Sequence, residues 1–243
     1  MILWFIFLNS LCGKMVEKTL TSQENAERVL LASGWLAGQP EPFQQEVLRR
    51  SKLLQYSAGD YVYRMGDPLG GIYGLISGNV AINSAPMHET PRLIQLGRPG
   101  AWTGEGSYIS RQPRLIELQA KADSVLLHLP LDQMDQMTFR DPQVIRNFSS
   151  IMIYTIHVLV QMVNDLQLLD PTRRIAATIT RATLQYASEL PITQTELGEM
   201  ACASRRQVSI VLKDFGARNW TQTQYGRITV LNLAALRSFA YTD

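Results

Sequence analysis

The sequence predicts an α+β protein in which a small barrel or sandwich of short strands precedes one long helix and a helical C-terminal unit. Three observations carry that reading. Ten of the sixteen glycines fall between Gly59 and Gly106. Apolar residues then recur every three or four positions between residues 141 and 169. Beyond them, two short amphipathic runs flank the segment Ala201-Cys202-Ala203-Ser204. With 243 residues, 46% apolar, 18% charged and a mean hydropathy of -0.05, the chain can bury one large core or two ordinary ones, and disorder as its main state is excluded. Cys12 and Cys202 are its two cysteines. They cannot build a disulfide framework, a four-thiolate zinc site or a cysteine-ligated iron–sulfur cluster, so a reducing, cytoplasmic setting is the simplest expectation.

Taken in order, residues 1–14 (MILWFIFLNSLCGK) open on an apolar run with no basic residue before it and no small-x-small cleavage pattern after it. This is a poor secretory signal and falls far short of the ~20 apolar residues of a membrane span. The expectation is that Met15 is the first residue; the alternative is an apolar arm that docks on a partner subunit. Residues 23–52 hold the runs AERVLLASGWL and PFQQEVLRRSKLL around a Gly-Gln-Pro break, which predicts two or three short helices. From Gly59 to Gly106, runs such as YVYRM, IYGLI and NVAIN alternate between turns, as short paired strands do.

Ile145, Phe148, Met152, Thr155, Leu159, Met162, Leu166 and Leu169 step by three and four. A helix over 141–169 would run roughly 43 Å, and its seam suits a partner helix in a homodimer. Val144, Ile151, Val158 and Val160 give it a second apolar face that could lie on the barrel. Asp170-Pro171 matches an N-cap and first-turn proline, which places a joint there. The following stretch RRIAATITRATLQYA is helical in pattern, and Leu197, Met200, Ala201, Val208, Val211, Leu212 and Phe215 space as a helix-turn-helix. Two strand-like runs around Tyr225 and Gly226 would add a wing. Residues 171–243 carry nine Lys/Arg against five Asp/Glu, a net of +4 against -2 for residues 1–170. The positive charge sits where it could meet phosphate.

Gly59-Asp60, Gly66-Asp67, Ile76 with Gly78-Asn79-Val80, Pro99-Gly100 and Gly104-Glu105, followed by Asp170 through Ala176 and Thr193 through Leu212, resemble in order and spacing the Crp/Fnr family of transcription regulators. The resemblance runs from about Leu54 to the end of the chain. It implies a β-roll of the cyclic-nucleotide-binding type (a double-stranded β-helix, or jelly roll) with flanking helices over 15–140, a dimerisation helix over 141–169 and a winged helix-turn-helix over 170–243. It also implies double-stranded DNA with a pseudo-palindromic operator, a second copy of the chain and RNA polymerase as partners. Ser204, Arg205, Arg206, Gln207, Ser209 and Ile210 occupy the recognition helix. Arg205 is expected to read guanine and Ser204 to touch phosphate. Thr193 and Gln194, at the start of the preceding helix, are phosphate candidates, with simple capping as the other role for Thr193. Cys202 stands where many relatives have glycine; it is expected to be a small, partly buried packing residue rather than a redox sensor.

For the effector, the resemblance implies a pocket in which backbone amides, a glutamate and an arginine-serine pair hold a cyclic nucleotide. Gly104, Glu105 and Arg114 match that pattern, but Leu115 replaces the serine, while Leu159 and Val160 stand where hydroxyls would face the adenine. With three polar contacts missing, the expectation is a pocket not tuned to cyclic AMP, in which Glu105 and Arg114 pair with one another and Leu115, Leu159 and Val160 make the walls apolar for an unknown small molecule. Two alternatives stay open: cyclic AMP held by Glu105 and Arg114, or a cyclic-nucleotide-binding module that does not act on DNA. No cofactor is expected. An iron–sulfur cluster lacks its cysteines, and haem would need His88, His128 or His157. No catalytic constellation or metal-ligand cluster stands out, so an enzyme is not expected.

Overall fold

The structure is a computed structural model that describes residues 24–85, 89–185 and 188–242. The apolar run 1–14 and His88 lie outside the described residues. The first described elements are helix α1 (24–32), a 3-10 turn (Leu36–Gly38) and α2 (Glu41–Arg50). The strands that follow are β1 (Lys52–Tyr56), β2 (Tyr61–Tyr63), β3 (Ile72–Ser77), β4 (Val80–Ser84), β5 (Arg92–Gly97) and β6 (Trp102–Thr103). Helix α3 (Glu105–Ser110) then precedes β7 (Glu117–Ala120) and β8 (Ser124–Leu129).

These strands form two antiparallel four-stranded sheets, ordered β1-β8-β3-β6 and β2-β7-β4-β5. The period-2 alternation of β8 shows how they are filled. Leu126 points between the sheets with Tyr63, Leu75, Val80 and Leu118, whereas Leu127 and Leu129 point out under the helices with Trp35, Phe43 and Phe148. The helical cover is tied down at Trp35, whose Nε1 donates to the Asn147 carbonyl and to Ser150 Oγ, both at 2.8 Å.

The helix expected over 141–169 is α5 (Val144–Leu166), and a separate helix α4 (Leu131–Arg140) precedes it. Helix α5 is shorter than expected because Pro142 disfavours helix at Asp141, the residue that ends α4. At 23 residues α5 is about 35 Å long. Its first half packs on the roll through Phe148 and Ile151, both buried. Further on, Ile153, Tyr154, Ile156, Leu159, Val160, Val163 and Leu166 are exposed.

The C-terminal unit comprises α6 (Pro171–Gln185), β9 (Glu189–Leu190), α7 (Gln194–Ala201), α8 (Arg205–Ala217), β10 (Thr221–Gln224), β11 (Arg227–Val230) and α9 (Leu233–Tyr241). As the Asp170-Pro171 pair predicts, Asp170 Oδ1 accepts from the Thr172 amide at 2.9 Å at the head of α6. The core is built from Ile175, Ile179, Leu197, Val208, Leu212, Phe215, Ile228 and Leu236. Helices α7 and α8 can cross closely because residue 198 is glycine: a Cβ there would stand 2.5 Å from the Ala203 carbonyl oxygen.

Candidate nucleic-acid interface and effector pocket

Two capping boxes open the two helices, one at the head of α7 and one at the head of α8. Thr193 Oγ1 accepts from the Glu196 amide while Glu196 accepts from the Thr193 amide at 2.8 Å, and Ser204 and Gln207 repeat the exchange at the head of α8. The T-x-x-E and S-x-x-Q spacings dictate this locally. Thr193, Ser204 and Gln207, all expected at DNA, thus also have structural work, and for Thr193 this is the capping role foreseen. Gln194 begins α7. Arg205, Arg206 and Ile210 are exposed on α8, and Ser209 is half-buried on the same helix. Among the described residues neither Arg205 nor Arg206 forms an ion pair. Two free guanidinium groups at the start of an exposed helix can fork onto guanine edges or phosphate.

Beside α8, the wing strands β10 and β11 turn at Tyr225-Gly226, and Tyr225 is fully exposed. A groove of about 480 Å³ runs between helix and wing, lined by Gln194, Ser209, Lys213, Asn219, Gln222 and Thr223 among others. Lys213 was not among the expected DNA contacts, although its i+4 spacing from Ser209 and i+8 from Arg205 places it on the same face of α8.

Cys202 closes α7 at φ 47° and ψ 50°, in the left-handed region. It is exposed, which corrects the expectation of a partly buried packing residue. The sharp α7–α8 turn throws its side chain outward. Arg174 of α6 reaches the same turn, donating to the Ala201 and Cys202 carbonyls at 3.2 Å each and to the Leu168 carbonyl at 2.8 Å.

In the roll, Gly104 takes φ 104° as the N-cap of α3, and a Cβ there would meet the Gly71 carbonyl oxygen at 2.8 Å. Glu105 and Arg114 are both buried, yet the expected ion pair between them does not form. Arg114 donates to the carbonyls of Gly104 (2.9 Å) and Gly71 (2.8 Å) and lies 4.3 Å from the Tyr63 ring centroid. Glu105 instead accepts from Thr155 of α5 at 3.0 Å. Burial raises the Glu105 pKa above the ordinary carboxylate value against the lowering influence of its hydrogen bonds and Arg114. Leu115 is 81% exposed; Arg114 turns inward just before β7, so its neighbour turns out. Leu159, one turn beyond Thr155, and Val160 are exposed on α5. His128 stacks on Tyr73 with ring centroids 4.3 Å apart, and burial, helped by Arg114 and Lys52, lowers its pKa to about 4. His157 is exposed. Among the described residues no group of His, Cys, Asp and Glu is placed to hold a metal ion, and no helix is long and apolar enough to cross a membrane.

Residues 53–141 match the family model of the cyclic nucleotide-binding domain, and residues 166–239 match that of the Crp-like helix-turn-helix domain. Both halves of the fold are thereby placed. The chain belongs to the Crp/Fnr family. It is 23% identical over 183 residues to the cAMP-activated global transcriptional regulator CRP of Salmonella typhimurium, covering 72% of this chain and 87% of that one. The fold superposes on a CRP/FNR-family transcriptional regulator from Thermus thermophilus with a TM-score of 0.64 and 20% identity, over 79% of this chain and 99% of that one. It is also similar to the c-di-GMP-responsive global regulator CLP of Xanthomonas campestris, with a TM-score of 0.62 and 21% identity over 79% and 99%. Crp/Fnr relatives whose names give different effectors thus share this architecture.

Proposed function

We propose that the protein is a homodimeric, sequence-specific DNA-binding transcription regulator whose effector pocket is not tuned to cyclic AMP. The observation that carries the DNA reading is the exposed N-terminal turn of α8, where Arg205 and Arg206 stand free beside a wing. The roll with its flanking helices (15–140) acts as the sensing unit, α5 within 141–169 as the dimer seam, and 170–243 as the reading head. An apolar stripe as long as Ile153 to Leu166 is unusual on a lone soluble chain. A second copy of α5 covering it supports a two-fold dimer, and with it two half-sites about 34–36 Å apart. RNA polymerase is the expected protein partner at promoters. Relatives named as transcriptional regulators support a non-enzymatic role.

Selection of bound duplexes from random sequence, with and without cyclic AMP, tests this. A palindrome enriched equally in both arms is expected; enrichment only with the nucleotide would overturn the effector reading, and an asymmetric half-site would overturn the dimer. Arg205→Ala should weaken the selected operator by roughly 1–3 kcal/mol and relax preference at one base step. Equal weakening on every sequence would remove its base-reading role. One observation favours the second reading, cyclic AMP held by Glu105 and Arg114: both groups are buried on the segment that the family uses for its effector, and Arg114 has carbonyls but no carboxylate bonded to it.

A further inference from the structure

The reading head is joined to the roll at a second place besides α5. In the sheet order β2-β7-β4-β5, strand β5 is an edge, with amides available to whatever lies beside it. Helix α7 lies there. Glu199 accepts from the Leu93 amide of β5 at 3.0 Å. Lys121, at the end of β7, forms an ion pair with Glu196. Beneath these polar contacts, Ala81 of β4 and Leu93 and Leu96 of β5 share one apolar cluster with the α6, α7 and α8 side chains. Three independent contacts therefore fasten the first helix of the helix-turn-helix to the sensing unit.

We propose that this contact is a latch that pre-orients the reading head for DNA, and that its strength sets how tightly the operator is held. The inference rests on the proposal that α8 binds DNA. Two features give it its direction. The latch leaves the reading face clear: Arg205, Arg206, Ile210 and Tyr225 are all exposed while α7 is docked. It also brings a cation to the head of α7, because the Glu196 carboxylate that caps Thr193 would repel a phosphate at Thr193 and Gln194 unless Lys121 neutralised it. Docked, the head of α7 accepts phosphate; released, it presents an unbalanced carboxylate and a head that must be ordered again when DNA binds.

Glu199 separates the latch from the fold, since glutamine keeps an acceptor for the Leu93 amide and alanine does not. Hydrogen exchange at the Leu93 amide and affinity for the selected operator would be measured for the intact chain, Glu199→Ala and Glu199→Gln. The expected result is faster Leu93 exchange in Glu199→Ala with operator binding weakened about 3- to 10-fold equally at every base position, as loss of positioning rather than of base readout requires, and near-normal behaviour in Glu199→Gln. Lys121→Met, paired with Lys121→Arg, repeats the test from the other side should Glu199→Ala fold poorly. Unchanged Leu93 exchange in Glu199→Ala, or operator binding as tight as or tighter than that of the intact chain, overturns the latch. An intact chain that binds no duplex overturns the DNA reading instead, and Leu93 exchange still reports on the contact.

Discussion

Helix α5 carries a buried carboxylate contact near each end of its exposed stripe, and the two are built differently. Thr155 meets Glu105 of the roll, which has that one hydroxyl for a side-chain partner and sits near an arginine bonded to carbonyls. Ten positions on, Asp165 is saturated. Arg181 of α6 donates to its Oδ2 at 2.8 Å, and Tyr241 of α9 donates to its Oδ1 at 2.7 Å. Arg174 stitches the carbonyls of Leu168 and Leu169 to the α7–α8 turn in the same region. The Leu169-Asp170-Pro171 joint is therefore bracketed by satisfied contacts. Among the described residues, the end without an ion pair lies in the roll. A ligand can rearrange a carboxylate held by one hydroxyl and by backbone amides at the head of α3 more easily than one held by a guanidinium and a phenol.

Breaking the saturated end should give the largest effect. Asp165→Ala strands the 4%-exposed Arg181 guanidinium and leaves the Tyr241 hydroxyl without its acceptor, so a loss of about 3–5 kcal/mol is expected in urea unfolding. Replacing both members of the pair by apolar residues of similar volume should recover most of it. A loss under about 1 kcal/mol would mean that the joint is looser than its geometry.

Acid should attack the other end. His128 is held neutral down to about pH 4 by burial and by Arg114 and Lys52. Unfolding lets it take up a proton near its ordinary value, so the stability present above about pH 6.5 is lost as pH falls toward 4. Because the ring is partly exposed, the drop is discounted to about 1–2 kcal/mol. Glu105 has the opposite sign: its raised pKa gives stability below the ordinary carboxylate value that is lost as pH rises through the folded value. Thermal melts from pH 4 to 7 should thus be flatter for His128→Gln, and the acid loss should be steeper for Glu105→Gln.

At neutral pH, Glu105→Gln is a smaller test of the same contrast. Glutamine still accepts from Thr155 and removes a desolvated charge, so a change within about 1 kcal/mol is expected, against the large loss for Asp165→Ala. A loss as large as that for Asp165→Ala would show that Arg114 depends on the Glu105 charge after all.

How much was legible follows the range of the interactions. Glycine punctuation marks the strands and apolar spacing marks α7 and α8, whose T-x-x-E and S-x-x-Q caps are equally local, because turns and caps are set within four residues. Asp165 to Tyr241 and Lys121 to Glu196 span 76 and 75 positions; pairings at that range leave no local pattern. The Glu105–Arg114 pair failed for a different reason. Opposite charges nine residues apart suggest a partner, but the fold puts the Gly71 and Gly104 carbonyls and the Tyr63 ring nearer to the guanidinium. Leu115 was misplaced with them, one residue of alternation deciding inside from outside.

The smallest effect belongs to the saturated end and concerns backbone alone. Cys202 sits at φ 47°, where an L side chain costs ~1–2 kcal/mol. Glycine there removes that strain but returns ~0.5–1 kcal/mol as extra freedom of the unfolded chain. The Ala201 and Cys202 carbonyls that Arg174 holds remain in place, so the stitch across the joint survives the substitution. Cys202→Gly should therefore be more stable by about 0.5 kcal/mol, read as a small rise in the urea midpoint with the operator preference unchanged. A destabilised variant would mean that the exposed thiol packs against something at the reading face, and an altered operator would place it in contact with DNA.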